Sequence, residues 1–278
     1  MTNQLSADPK DRIIVALDVD TPSKALQLVK ELKPYVGSFK IGLELIFGIM
    51  ASVVHSQDVG MREVLETQEL FALLEGRVFL DCKLHDISRT VGKAAQIIAS
   101  LNVRMFNVHA SGGLGMMQQA KQDSLNMLKI SDLQRAPLIL GVTVLTGLDE
   151  TDLVSIGMLP ALQVKDKMEQ SHAHGAAECV ERLAKLTKAA GLDGIVCSAQ
   201  ETALIRRACG KDFVIVTPGI RPLGSDMNDQ KRVGTPEGAI RAGADYIVVG
   251  RPITDSAEPV FAAIGIVKQV ESALKEVA

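Results

Sequence analysis

The 278-residue chain contains no apolar run of the roughly 18 residues that a membrane-spanning helix needs. Its first residues, MTNQLSADPKDR, lack the apolar core of a secretory signal, and residues 1–11 are expected to form a flexible extension. The four cysteines, Cys82, Cys179, Cys197 and Cys209, have no CxxC spacing, which removes the commonest zinc and dithiol signatures. Three of them lie in or beside apolar segments, so reduced thiols in a cytoplasmic protein are expected. Basic residues are not in excess: 30 Lys and Arg against 33 Asp and Glu give a net charge of −3. With a pI near 6.0 there is no overall basic field of the nucleic-acid-binding kind. Neither a nucleic acid nor a membrane is expected as a partner, although a local cationic pocket stays open. Low-complexity linkers and shifts of composition are also missing, which favours a single domain over residues 1–278.

What the chain does have is apolar residues, 47% of the total, arranged in short β-branched runs. The runs are RIIVALDV (12–19), SFKIGLEL (38–45), VFLDCKL (78–84), VRMFNVHA (103–110), APLILGVTVLT (136–146), LDGIVCSA (192–199), FVIVTPGI (213–220) and DYIVVGRPI (245–253). Their hydrophobicity is continuous rather than alternating, as in parallel strands covered on both faces. Amphipathic stretches lie between them, such as SKALQLVKELK (23–33), TVGKAAQIIASL (90–101) and AAECVERLAKLTKAAG (176–191). Thr21-Pro22 is a helix-start pair and Gly191 a helix stop. Eight strand–helix repeats in about 250 residues predict a (β/α)8 TIM barrel, with a doubly wound open sheet as the alternative because periodicity does not reveal closure. Residues 46–76 exceed one helix, so a helical insertion is expected around 48–76; residues 147–174 have room for a short helix.

In such a barrel the chemistry gathers at the C-terminal ends of the strands. The polar residues there are Asp18, Lys40, Asp81 and Lys83, with Asp86 just beyond, then Asn107, His109, Thr143, Thr146 and Arg251. Side chains alternate along a strand, so Asp81 and Lys83 share a face while Cys82 turns away. An Asp/Lys array at the edge of a core is costly unless its charges pair, and such clusters mark functional sites. Each member taken singly is also readable as a structural ion pair.

TPGIRP (217–222) and VVGRPIT (248–254) end the last two strands, where barrels of this kind often hold phosphate. Gly219 and Gly250 permit close approach of backbone N–H groups to an anion, and Arg251 can add a bidentate contact. The loop RPLGSDMNDQKRVG (221–234) offers Arg221 and Gln230 as further donors; a solvated loop with ordinary turn glycines is the alternative. His172 and His174 form an HxH pair with no evident third ligand, so no metal site is inferred. His109 is as well explained by a structural hydrogen bond as by catalysis, and His85 is free to turn away from the mouth.

DCKLHDI (81–87) matches the DxKxxDI signature of orotidine 5′-phosphate decarboxylases, and the chain from about Arg12 onward resembles that family, particularly its bacterial branch. IVALDV, FKIGLEL, NVHASGG, VTVLT, TPGIRP, DQKR and ADYIVVGRPIT follow in the family's order. Two features depart from it: Ser88-Arg89 replaces the common Pro-Asn, and the segment around 48–76 is longer. The resemblance implies conversion of orotidine 5′-monophosphate to UMP and carbon dioxide in de novo pyrimidine biosynthesis, without metal or organic cofactor. It further implies that Lys83 protonates C6 of the pyrimidine, Asp81 lies against the departing carboxylate, Lys40 contacts ribose and holds the array, and Asp18 binds a ribose hydroxyl. Thr146 would read the pyrimidine amide. Pro218, Arg221, Gln230, Gly250 and Arg251 would form the phosphate end. A homodimer is implied, with Asp86, Ile87 and Thr90 serving the neighbouring site. Magnesium-dependent sugar-phosphate decarboxylases or aldolases of the same superfamily are the nearest alternative, and a catalytically silent nucleotide-binding barrel is another.

Overall fold

The computed structural model describes residues 6–54, 61–129, 133, 135–160, 172–222 and 234–277. Eight parallel strands follow one another around a closed barrel: β1 (Ile13–Leu17), β2 (Ser38–Ile41), β3 (Val78–Leu84), β4 (Met105–His109), β5 (Leu138–Val142), β6 (Gly194–Val196), β7 (Val214–Thr217) and β8 (Tyr246–Val249). Closure comes from β8 pairing with β1, Ile13 opposite Ile247 and Val15 opposite Val249, which excludes the open sheet.

The continuous apolar runs reflect two faces that are both buried. Ile14, Ala16, Phe79, Met105, Leu140, Val216, Tyr246 and Val248 point inward and fill the barrel. Their neighbours Ile13, Val15, Leu17, Phe39, Ile41, Val78, Leu80, Phe106 and Val108 point outward and meet the helices. Because the period is two, Asp18 continues the inward row of Ile14 and Ala16, as Asp81 continues that of Phe79.

The surrounding helices begin and end where local chemistry directs. Thr21 caps α1 (Pro22–Leu32) by accepting from the Lys24 N–H, with Pro22 in the first turn. Between β2 and β3 lie two helices, α2 (Leu43–Val54) and α3 (Met61–Leu73), which form the expected insertion. The second apolar run predicts extended chain to residue 45, but the strand stops at Ile41. The Gly42 carbonyl accepts from the Ile46 N–H, so the apolar Leu43–Leu45 segment is already helical.

The following helices are α4 (Ser88–Ser100), α5 (Leu114–Leu128), α6 (Glu150–Ser155), α7 (His172–Ala189), α8 (Thr202–Cys209), α9 (Pro236–Arg241), α10 (Arg251–Thr254) and α11 (Pro259–Val277). Asp149 and Asp152 form a reciprocal capping box at α6, the short helix expected within 147–174. Gly191, at φ +77°, follows α7 in the left-handed conformation of a helix stop. Pro9–Arg12, overlapping the expected extension, form a 3-10 turn capped by Asp8, whereas residues 1–5 lie outside the described residues. Among the described residues, no helix is long and apolar enough to cross a membrane.

One close approach ties the insertion to the barrel mouth. A Cβ on Gly48 would lie 2.1 Å from the Asp20 carbonyl oxygen, so α2 sits directly on the backbone just past Asp18. Alanine is the better helix former by about 1 kcal/mol. Overpacking against backbone should nevertheless make Gly48→Ala destabilising by roughly 1–3 kcal/mol, measured by urea unfolding. A stabilised variant would show that this seating is not tight.

Candidate active site

At the C-terminal mouth, β1, β2 and β3 deliver an alternating row of charges. The Lys40 Nζ donates to Asp18 Oδ1 at 2.7 Å and lies 3.6 Å from Asp81 Oδ2, while the Lys83 Nζ donates to Asp81 Oδ1 at 2.8 Å. The order Asp18–Lys40–Asp81–Lys83 is thus a physical chain of contacts. Lys40 and Asp81 are largely covered, with side chains 13% exposed, whereas Asp18 at 59% faces open space.

Lys83 reaches Asp81 by a less regular route than simple alternation. β3 pairs with β4 through Leu80–Phe106 and again through Leu84–Val108, so the register shifts between these points. Within that irregularity Lys83 has φ +48°, a left-handed backbone uncommon for a residue with a side chain. Asn107, fully buried on β4, spans the gap. Its Oδ1 accepts from the Lys83 backbone N–H at 2.7 Å and its Nδ2 donates to Asp81 Oδ1 at 2.6 Å.

Burial pushes the Asp81 carboxyl upward, but Lys40, Lys83 and the Asn107 amide outweigh it and hold the group below the ordinary carboxylate range. Cys82 turns away from the mouth; burial pushes its thiol up to about 11, which makes it a poor nucleophile. The rings of His85 and His109 lie 5.3 Å apart beside the array. Burial, aided by His85 and Lys83 and opposed by Asp81, holds the His109 imidazole below its ordinary value.

A cavity of about 560 Å³ opens over this row. Asp18, Lys40, Asp81 and Lys83 line one side, and Thr146, Pro218, Gly219, Arg221, Gly250 and Arg251 also line it. The structure therefore joins the Asp/Lys array and the expected phosphate end in one space. Gly219 has φ +73°, and Arg221 is 8% exposed with its Nη1 donating to the Ile220 carbonyl. Arg251 opens α10 rather than extending β8, because Gly250 ends the strand and Pro252 starts the helical turn. Gln230 lies outside the described residues. Thr143 is buried and bonds the Val196 carbonyl, so it ties β5 to β6 instead of entering the cavity.

Asp86, Ile87 and Thr90 stand apart. None lines this cavity, and all three are exposed, Ile87 by 72%. Asp86 Oδ1 accepts from the Ile87 N–H at 2.7 Å, which shapes the turn into α4. Glu44 lines the cavity from α2, a position hidden in the sequence because its run reads as strand. Asn107 is recognisable in the sequence as a strand-end amide, but its two partners are not. The described residues contain no group of three or more His, Cys, Asp or Glu arranged to hold a metal, and the side chains of His172 and His174 are not among those described.

Chemically, the cavity sets cationic and anionic side chains around one space. Its arginines can receive an anionic group, and a lysine ammonium held by a fixed carboxylate, Lys83 on Asp81, can stabilise or protonate a reacting centre.

The similarities agree with this layout. The orotidine 5′-phosphate decarboxylase / HUMPS family matches residues 11–266. The protein named orotidine 5′-phosphate decarboxylase from Syntrophomonas wolfei is 43% identical over 262 residues, covering 94% of this chain and 98% of that relative. The protein of the same name from Actinobacillus succinogenes is 44% identical over 248 residues, covering 89% and 93%. A crystal structure of orotidine 5′-phosphate decarboxylase from Lactobacillus acidophilus superposes with a TM-score of 0.66 at 32% identity, covering 93% of this chain and 98% of that one. With the closed barrel and the charged row at its mouth, these matches mean that the chain belongs to the orotidine 5′-phosphate decarboxylase / HUMPS family.

Proposed function

We propose that the chain decarboxylates orotidine 5′-monophosphate to UMP. The observation that carries this reading is Lys40, whose ammonium sits between Asp18 and Asp81. The magnesium-dependent sugar-phosphate enzymes of the superfamily place an acidic residue there. A lysine ammonium cannot ligate a hard cation, so Lys40 favours a fixed-charge site over a metal site.

Loss of carbon dioxide from C6 leaves an electron pair in the plane of the pyrimidine ring, where the π system cannot accept it. A fixed cation beside C6 is the direct remedy. Lys83 supplies it, then donates the proton that completes UMP. Asp81 stands against the substrate carboxylate. Two unit charges ~4 Å apart at an effective dielectric of about 20 repel by roughly 4 kcal/mol, and that repulsion disappears as neutral carbon dioxide departs. Lys40 holds Asp81 and Asp18 while meeting the ribose, whose hydroxyl Asp18 binds. Thr146 reads the pyrimidine amide. Pro218, Arg221, Gln230, Arg251 and the Gly250 backbone receive the phosphate, whose remote binding energy keeps the ring in register.

The working unit on this reading is a cytoplasmic homodimer. The exposed Asp86, Ile87 and Thr90 reach the neighbouring cavity, and the outward Ile87 supplies apolar contact area. Incubating the protein with orotidine 5′-monophosphate and excess EDTA, with ultraviolet absorbance followed, tests the function directly. Rapid conversion is expected. No conversion by folded protein, with or without magnesium, would leave a binding barrel instead.

Lys83→Ala should abolish turnover while UMP binding, measured by calorimetry, persists; near-normal turnover would remove Lys83 as the proton donor. Arg251→Ala should weaken binding of the phosphorylated substrate and scarcely change turnover of orotidine lacking phosphate. A large loss on that truncated substrate would contradict the phosphate assignment. Mixing inactive Lys83→Ala and Asp86→Asn subunits should restore about a quarter of wild-type activity, since half the dimers are mixed and each then holds one intact site. No recovery after verified subunit exchange would place Asp86 in its own subunit's site.

A further inference from the structure

Asn107 has two bonds to groups of the proposed reaction and none of the roles assigned above. It is fully buried at an inward position of β4, level with Leu140 on β5. Across β3 the ladder between Leu80–Phe106 and Leu84–Val108 advances four residues on one strand and two on the other. Asp81, Cys82 and Lys83 occupy the excess, so regular pairing does not fix them. The Asn107 side chain lies opposite and bonds to the first and last of the three.

The amide has one workable orientation. The Lys83 backbone N–H can only donate, so the atom facing it is Oδ1, which turns Nδ2 toward the Asp81 carboxylate. Flipping the amide would set N–H against N–H and oxygen against carboxylate. Asp81 Oδ1 thereby receives both Lys83 Nζ and Asn107 Nδ2, while its Oδ2 is left toward Lys40. The backbone from which the Lys83 ammonium springs is the left-handed one. A conformation of this kind persists where surrounding contacts enforce it.

We infer that Asn107 is a positioning residue for catalysis: one buried amide clamps the left-handed Lys83 backbone and the Asp81 carboxylate together, fixing the proton donor relative to the charge beside it. The inference rests on the decarboxylase reading for its chemistry, but its geometry can be tested without turnover.

Asn107→Ala removes both bonds. Turnover of orotidine 5′-monophosphate should fall about 10- to 100-fold in kcat, the scale expected for slight misplacement of a reacting group, with KM and UMP affinity near wild type. Asn107→Asp preserves shape and the acceptor for Lys83 but sets a second carboxylate against Asp81. The charged and titratable groups facing that position are Lys40 on β2, Asp81 and Lys83 on β3, and His109 on β4, with His85 beside it; Leu140 on β5 adds none. The two carboxylates would hold one proton between them to a higher pH than either would alone. The introduced carboxyl, when protonated, replaces the lost donor, so kcat of the Asn107→Asp variant should rise as pH falls and drop as pH rises over a range in which wild-type kcat is level.

Unchanged kcat in Asn107→Ala would overturn the inference. So would a joint loss of kcat and UMP affinity in both variants with no new pH limb, because that is the signature of general structural damage. If wild type itself fails to turn over the substrate, the decarboxylase reading fails first. The clamp is then read by ¹³C NMR of the Asp81 carboxyl. Its titration should move upward in Asn107→Ala, and an unmoved titration would overturn the clamp.

Discussion

The Asp81 carboxylate is the constraint around which the mouth of the barrel is organised. It receives a lysine from its own strand, faces another from β2 and accepts an amide from β4. A buried charge is tolerable only with such company, because desolvation otherwise exceeds what one ion pair returns. The two partners from other strands depend on the register of those strands, in which Lys40 stands beside Phe79 and Phe79 beside Met105. The sign of the linkage is also definite. A carboxyl held below its ordinary value contributes stability that is complete above the unfolded-state pKa and is lost as pH falls through its own lowered value. At neutral pH the row is therefore settled, and the apolar barrel interior beneath it carries the fold.

Much of this is legible in the chain itself, for identifiable reasons. Parallel strands buried on both faces must be apolar throughout, so eight runs can be counted. The pair Thr21-Pro22 and the lone Gly191 act locally, so these helix ends show in the sequence. Asp18, Lys40 and Asp81 extend inward rows whose period is two, and the pairing of those rows is regular up to Asp81. Closure is not legible, since it depends on β8 finding β1 across the whole chain. The early start of α2 is hidden because Leu43–Leu45 suit a strand as well as a helix, and only the Gly42–Ile46 hydrogen bond decides.

Lys83 shows the limit more sharply. Alternation correctly places it beside Asp81, yet the strand there is irregular and its backbone left-handed. A local pattern yields the contact without its cause. The cause lies on β4, where Asn107 is one amide between Met105 and His109 on the inward row, and its meaning depends on two partners distant in sequence. Thr143 and Thr146 teach the same lesson from the other side. They are three residues apart in one run, but one ties strands together and the other lines the cavity.

The charge balance of the row explains why Lys40 matters beyond its contacts. The formal charges of Asp18, Lys40, Asp81 and Lys83 cancel, so the row is near neutral. On the proposed roles, a substrate carboxylate adds one negative charge next to Asp81, the place least able to accept it. Departure of neutral carbon dioxide shifts that charge to C6, directly beside Lys83, where it is best opposed. Proton transfer then leaves Lys83 neutral beside the Asp81 carboxylate, and a proton taken up from water resets the row. An acidic residue in place of Lys40 would make the row strongly negative and would require a bound cation to balance it. On the proposed roles, the sign of one side chain on β2 thus decides whether the row balances its own charge.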